Sequence, residues 1–279
     1  MRIFKKPFSY GLKKKQRDIP DGLWDKCPRC SYLIFKKILQ ETLYVCPKCN
    51  YHFPLGCWER INLTSDKDTF VEIAQNITSC DPINFSGPKT YREKLEEAIK
   101  TTGLKEAAVV GEANLDSRGV ALGVTDSRFI MGSMGSAVGE KITRLIELAL
   151  DKRKPLILIS GSGGGARMYE GILSLMQMAK TCGALLLLKK NNIPFISVLT
   201  NPTMAGVMAS FAGLGDVTIA EPEALIGFTG PRVIKQTIKE ELPKGFQTSE
   251  FNLKHGLIDI VVNRRELKDT IAKLLYYLT

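Results

Sequence analysis

Hydrophobic and polar positions change period several times along the 279 residues. From Lys141 to Lys152 the apolar residues Ile142, Leu145, Ile146 and Ala149 recur at helical spacing, which predicts an amphipathic helix. Pro155 to Ser160 is a short unbroken apolar run, as a buried strand requires. Ala107–Val110, Val120–Thr125, Pro194–Thr200, Val217–Ala220, Leu225–Phe228 and Ile258–Val262 predict further short strands. Residues 58–104 read as helical and polar, with Tyr91 to Ile99 the clearest helix. Helices are also expected from Met168, over Val207–Leu214, near Pro231–Glu241 and Ser249–His255, and from Arg265 to the end. Alternating strands and helices predict an α/β fold. The order strand, glycine turn, helix occurs at 155–175 and again at 194–214.

Charge divides the chain unevenly. The formal net charge is +10, and seven Lys or Arg precede Asp18 with no acid among them. Residues 1–22 therefore read as a basic tail, either a solvated terminus or a patch for a polyanion. Residues 23–57 form a cysteine-bearing module, and 58–279 the larger domain. The longest apolar block, Ala184 to Leu188, stops at Lys189-Lys190, so no membrane span is expected. The N-terminus lacks the apolar stretch of a secretory signal, and an intracellular protein is expected.

Cys27-Pro28-Arg29-Cys30 and Cys46-Pro47-Lys48-Cys49 are two C-x-x-C knuckles 15 residues apart. Each places two thiolates on one tight turn, and two knuckles supply the four sulfurs that tetrahedral Zn²⁺ takes. Cys27, Cys30, Cys46 and Cys49 are the expected ligands of one structural zinc, since so short a module cannot bury enough surface to fold without metal. Cys57, Cys80 and Cys182 read as small apolar residues, and His52 as a possible substitute ligand. Arg29, Lys36, Lys37, Lys48 and Arg60 are interleaved with Tyr32, Phe35, Tyr44, Tyr51 and Trp58, a composition compatible with nucleic-acid binding.

Gly161-Ser162-Gly163-Gly164-Gly165-Ala166-Arg167 lies between a predicted strand and the helix expected from Met168. Glycines there let main chain approach a ligand closely, and the helix would aim its positive end at it. A dinucleotide site needs an acid about 20 residues on, and no Asp or Glu occurs from Gly171 through Gly215. A P-loop ends in Gly-Lys-Ser/Thr, whereas this turn ends in Gly165-Ala166-Arg167. A serine hydrolase needs a partner histidine, and outside the metal module only His255 exists. A purely structural turn or an oxyanion hole built from backbone N–H groups remains. The segment Thr203 to Gly206 offers a second such turn.

Together with these residues, Gly22-Leu23-Trp24-Asp25-Lys26-Cys27, Gly132-Ser133-Met134-Gly135-Ser136-Ala137-Val138-Gly139-Glu140-Lys141, Ser174-Leu175-Met176-Gln177-Met178-Ala179-Lys180 and Ile226-Gly227-Phe228 with Gly230-Pro231-Arg232 resemble the carboxyltransferase beta subunits of acetyl-coenzyme A carboxylase, from about residue 20 to the end. The resemblance implies a crotonase-like fold of ββα units behind a four-cysteine zinc ribbon. It implies carboxyl transfer from carboxybiotin to acetyl-CoA, giving malonyl-CoA for fatty-acid synthesis. Biotin would ride on a separate biotin carboxyl carrier protein, and ATP would be used by a separate biotin carboxylase. The active site would lie at an interface with an alpha subunit in an α₂β₂ assembly. The setting would be the cytoplasm, or a plastid stroma for a plastid-encoded chain. The biotin left after CO₂ release would take the proton from the acetyl methyl, so no protein base is required. Carried over, backbone amides around Gly164, Gly165 and Ala166 would serve one enolate oxygen, and those of Ala205 and Gly206 the other.

Two departures bear on these sites. The family pattern Ser-Gly-Gly-Ala-Arg-Met is met here with one more glycine and is followed by Tyr169, where Gln is usual. The usual Thr-Thr-Gly-Gly is Thr203-Met204-Ala205-Gly206, and a hole using Ala205 is expected only if that residue avoids positive φ. A carboxyltransferase for another acyl-CoA such as propionyl-CoA and a zinc-ribbon nucleic-acid binder are the competing readings.

Overall fold

The computed structural model describes residues 22–279; the basic tail expected over 1–22 lies outside the described residues save Gly22. Each knuckle sits at the tip of an antiparallel turn, the second closed by a single bridge between Val45 and His52. Strands β1 (Trp24–Lys26) and β2 (Leu33–Phe35) pair antiparallel and lead into α1 (Lys36–Glu41). Cys27, Ile34, Leu39 and Cys46 form a small core of their own.

The larger domain begins with α2 (Cys57–Thr64) and the short strand β3 (Val71–Ile73), which the polar composition of this region did not announce. Helix α3 (Tyr91–Thr102) starts at a capping box, in which Thr90 accepts from the Glu93 amide and Glu93 accepts from the Thr90 amide. Strands β4 (Ala108–Leu115) and β5 (Arg118–Thr125) form a hairpin closed by Asp116 and Ser117, both at positive φ. Then come α4 (Ser136–Asp151), β6 (Leu156–Ser162), α5 (Ile172–Lys190), β7 (Phe195–Met204), the single-turn α6 (Ala205–Met208) and β8 (Val217–Ala220). The chain ends with β9 (Ile226–Gly227), α7 (Pro231–Ile238), α8 (Ser249–Lys254), β10 (Ile260–Val261) and α9 (Arg264–Leu278).

Eight strands make one sheet in the order β10-β8-β7-β6-β5-β4-β3, with β9 paired to the far end of β7. The β3-β4-β5 part is antiparallel, and β5 through β10 is parallel. All seven residues of β6 are buried, which explains its unbroken apolar run. One apolar core extends from Cys57 through these strands to Leu275 of α9.

Two expectations are corrected. Helix α5 does not start at Met168: a 3₁₀ turn (Met168–Glu170) and Gly171, at φ 54° and ψ −131°, intervene. The glycine turn therefore does not sit on a long helix's positive end. Likewise the helix expected over Val207–Leu214 is broken by Ser210, with only a 3₁₀ turn at Phe211–Gly213 beyond it. By length and composition α5 itself is long and apolar enough to cross a bilayer, although the sequence pattern indicated no span. Its polar side is engaged with α4, where Lys180 pairs with Glu140 and the Gln177 side chain lies against Gly139.

Candidate active site and metal centre

At the metal centre the four predicted cysteines converge. Their sulfurs all lie within 4.8 Å of one another, with Cys27 to Cys49 at 3.6 Å and Cys30 to Cys46 at 3.8 Å. Tetrahedral Zn²⁺ with Zn–S near 2.3 Å needs sulfurs about 3.8 Å apart, so the cage fits the ion. Burial pushes the Cys27 thiol up, but the backbone amides of Cys30 and Arg29 outweigh it and bring the pKa down to about 7. Burial and the neighbouring sulfurs push Cys49 up to about 12. Such a cluster sheds its first proton easily and its last reluctantly, as expected of thiolates that need a dication among them.

The other polar residues of the ribbon are used differently. His52 is buried against Glu221, 3.6 Å from Nδ1 to the carboxylate, and not among the sulfurs. Arg60 forks onto both oxygens of Glu221 and is buried, so it is not available to a polyanion. Arg29 is paired with Glu223 at 2.7 Å, and Lys48 lies over the Tyr32 ring. Cys57 is fully buried with its thiol on the Val124 carbonyl, in keeping with a small apolar residue, whereas Cys80 is exposed.

The glycine turn is laced to the loop that precedes α4. The Met131 carbonyl accepts the amides of both Gly163 and Gly164, at 2.9 and 3.0 Å. The Met134 amide donates to the Gly165 carbonyl at 2.7 Å, and the Arg167 amide to the Met134 carbonyl at 2.9 Å. The three consecutive glycines now have reasons. A Cβ on Gly163 would lie 3.0 Å from Pro202 Cγ, and one on Gly164 2.8 Å from Ser133 Cβ. Gly165 has φ +59°, and a Cβ there would come within 2.7 Å of the Ala205 Cβ.

That last contact brings the two predicted turns together. A Cβ built on Gly165 would be 3.1 Å from the Gly206 nitrogen, and one on Gly206 would be 3.1 Å from the Ala166 nitrogen. Of the predicted donors, two are already used: Gly164 donates to Met131, and Ala205 donates to the Phe228 carbonyl at 3.0 Å. Ala205 also has φ +53°, the conformation that argued against its use. Among the described residues no acceptor takes the amides of Gly165, Ala166 or Gly206. Gly165 and Gly206 are buried, and buried amides without a partner are rare in folded proteins.

Beside Gly164 and Ala166 opens a cleft of about 710 Å³. Met131, Met168 and Tyr169 give it an apolar wall, and Lys94, Arg128 and Arg167 are its basic residues. Tyr169, the departure from the family pattern, stacks on Tyr91 with ring centres 5.2 Å apart. Neither histidine is near: His255 lies on the ring of Phe251, and His52 is at the ribbon. Arg167, Glu106 and Glu170 form a buried network beneath the turn that patterning did not reveal. The Arg167 guanidinium outweighs burial and holds the Glu106 carboxyl below the usual range.

Residues 55–248 match the carboxyl transferase domain family, and residues 24–49 match the acetyl-CoA carboxylase zinc finger domain. The acetyl-coenzyme A carboxylase carboxyl transferase subunit beta of Desulforamulus reducens is 52% identical over 284 residues, covering 99% of this chain and 97% of that protein. A protein of Natranaerobius thermophilus named as subunits beta/alpha is 51% identical over 94% of this chain, which spans 43% of it. Among solved structures, a transcarboxylase 12S with methylmalonyl-coenzyme A bound superposes with a TM-score of 0.65 at 25% identity, over 80% of this chain and 41% of that one.

Proposed function

The chain belongs to the acetyl-coenzyme A carboxylase carboxyl transferase beta-subunit family, and from that membership we propose how its two turns work. It is the beta subunit of the carboxyltransferase, transferring a carboxyl group from carboxybiotin to acetyl-CoA to give malonyl-CoA. Its ribbon holds a structural zinc through Cys27, Cys30, Cys46 and Cys49.

The observation that carries the mechanistic reading is the abutment of Ala166 and Gly206, with unclaimed amides on both turns. Two amides aimed at one oxygen stabilise charge that develops there in the transition state. In place of two separate holes on this chain, one from each turn, Gly165, Ala166 and Gly206 form a single one. It holds the thioester enolate, and the enolate of biotin falls to the alpha subunit in an α₂β₂ assembly. The apolar wall at Met131 and Met168 accommodates the thioester arm. With no histidine in the cleft, the proton of the acetyl methyl goes to the biotin released on decarboxylation. The Natranaerobius thermophilus relative named for beta and alpha subunits together supports co-assembly. A biotin carboxyl carrier protein, a biotin carboxylase and a cytoplasmic setting complete the reading.

The test is reconstitution with an alpha subunit, carboxybiotinylated carrier and either acetyl-CoA or propionyl-CoA. Malonyl-CoA formed faster than methylmalonyl-CoA supports the reading; the reverse preference moves the substrate to propionyl-CoA.

A further inference from the structure

Arg167 is the largest fully buried side chain among the described residues. Its Nη1 donates to Ser79 Oγ and Tyr91 Oη, both at 2.9 Å, and its Nη2 to Glu106 Oε1 at 2.7 Å. Nη1 also reaches Glu106 Oε2 at 3.2 Å, and the other bonds go to one residue of the loop before α4: Nη2 donates to the Ser133 carbonyl at 2.8 Å and Nε to Ser133 Oγ at 3.1 Å. The Arg167 backbone grips the next residue, since its amide donates to the Met134 carbonyl. Side chain and main chain of one residue thus hold Ser133 and Met134 together.

That loop is under strain. Ile130 and Met131 stand at φ 43° and 57°, which is unfavourable for side chains with a Cβ and most so for a β-branched one. Such geometry persists only where the surroundings over-determine it. It matters because the Met131 carbonyl decides which amides of the turn are consumed. It takes Gly163 and Gly164 and leaves Gly165 and Ala166 free. Were the loop to relax, the Met131 carbonyl would move and the free amides would lose their aim.

We propose that Arg167 is a positioning residue for the oxyanion turn: by clamping Ser133 and Met134 it holds the strained loop that orients the Gly165 and Ala166 amides. This rests on the reading of those amides as the enolate site. Glu170 backs the clamp, accepting the Tyr91 hydroxyl at 2.5 Å and the Ser136 amide at 2.6 Å. The guanidinium fork is essential because its five N–H donors lie in one plane, whereas an ammonium offers three donors from a point.

The experiment uses the zinc-loaded complex with the alpha subunit, and compares Arg167→Lys, Tyr91→Phe and Gly165→Ala with wild type. Melting temperature, kcat and the KM for acetyl-CoA are read for each. A misplacement of about 1 Å costs on the order of 100-fold in rate. Arg167→Lys is therefore expected to lower kcat about 100-fold with KM within about twofold. Tyr91→Phe removes the hydroxyl's bonds to Arg167 and Glu170 and keeps the ring that stacks on Tyr169, so kcat should fall about tenfold, equal to about 1.4 kcal/mol, in a folded protein. If Arg167→Lys fails to fold, Tyr91→Phe carries the decision. A kcat within about twofold of wild type in a folded variant overturns the proposal, as does a loss that only follows the unfolded fraction. If Gly165→Ala abolishes turnover while the other two do not, positioning by Arg167 fails and the enolate site stands. If Gly165→Ala turns over normally, both fall.

Discussion

Arg264 forks onto Glu221, Nε to Oε1 and Nη2 to Oε2, both at 2.8 Å. Its remaining nitrogen reaches out of the larger domain and donates to the carbonyls of Leu43, Tyr44 and Phe53 at 3.3, 3.2 and 2.9 Å. One guanidinium thus ties the zinc ribbon to the end of β8. Arg60 occupies the other side of the same carboxylate, so Glu221 is a fully buried anion shared by two cations.

Removing one partner of such a cluster leaves buried charge and costs more than the pair itself is worth. Arg264→Ala should destabilise the protein by about 3–5 kcal/mol. Its melting temperature should fall on the order of 10 °C. The zinc should stay bound, because none of its ligands is touched. Thermal unfolding together with metal analysis checks this, and an unchanged melting temperature would refute it.

Acid should act through the same carboxylate. Burial alone would raise its pKa, but Arg60 and Arg264 prevail and hold it well below the usual carboxylate range. A depressed folded pKa contributes stability above the unfolded value, near 4.5, and loses it as pH falls through the folded one. The stability difference between wild type and Glu221→Gln should therefore be constant from pH 7 down to about 5 and shrink below about 4.5. Zinc loss in acid affects both proteins alike. A gap that narrows already between pH 7 and 6 would contradict this assignment.

Cys27→Ser should empty the metal site. With one thiolate gone from a cage of four, binding energy that folds the ribbon is lost. Zinc content should drop from one per chain to near zero, and residues 23–57 should become sensitive to protease. Stoichiometric zinc in the purified variant would show that three sulfurs suffice.

Two glycines at positive φ separate the active site from ordinary backbone strain. Gly103 has φ +70° and nothing within 4 Å of an added Cβ, whereas Gly165 has φ +59° and faces Ala205. Gly103→Ala should cost about 1–2 kcal/mol and leave turnover unchanged. Gly165→Ala should also cut turnover at least about 100-fold. Equal effects on turnover from the two would mean that strain alone explains the loss.

Helix α5 presents Ile172, Leu173, Leu175 and Met176 to solvent, next to the exposed Met168 by the cleft. An apolar face of this kind commonly lies under a partner. The expected cover is the alpha subunit. Leu175→Glu should weaken co-purification with the alpha subunit at least about tenfold, with zinc content and melting temperature of the beta subunit unchanged. Co-purification at the wild-type ratio would place the interface elsewhere.

Much of the site was readable from residue types, because its parts are local. A C-x-x-C knuckle carries its geometry within four residues, so two of them announced the zinc cage before any fold was known. The glycine run announced close main-chain approach for the same reason. The identity of the donors was not readable. Gly164 and Ala205 have amides like their neighbours, and only their acceptors, Met131 and Phe228, take them out of use. Both acceptors lie more than 20 residues away in sequence.

The chain's patterning determined the α/β class, most strand positions and the metal, since each depends on spacing within a few residues. Tertiary structure alone decided which charges are buried. Arg167 with Glu106 and Arg264 with Glu221 are 61 and 43 residues apart, and in the sequence they are indistinguishable from surface residues. Tertiary structure also decided that the turns at 163–166 and 203–206 meet. Parallel β6 and β7 lie side by side, with Ser162 opposite Thr203, and each strand's end delivers its turn to the same place. Strand pairing across 41 residues is set by the burial of whole faces, which no local pattern contains.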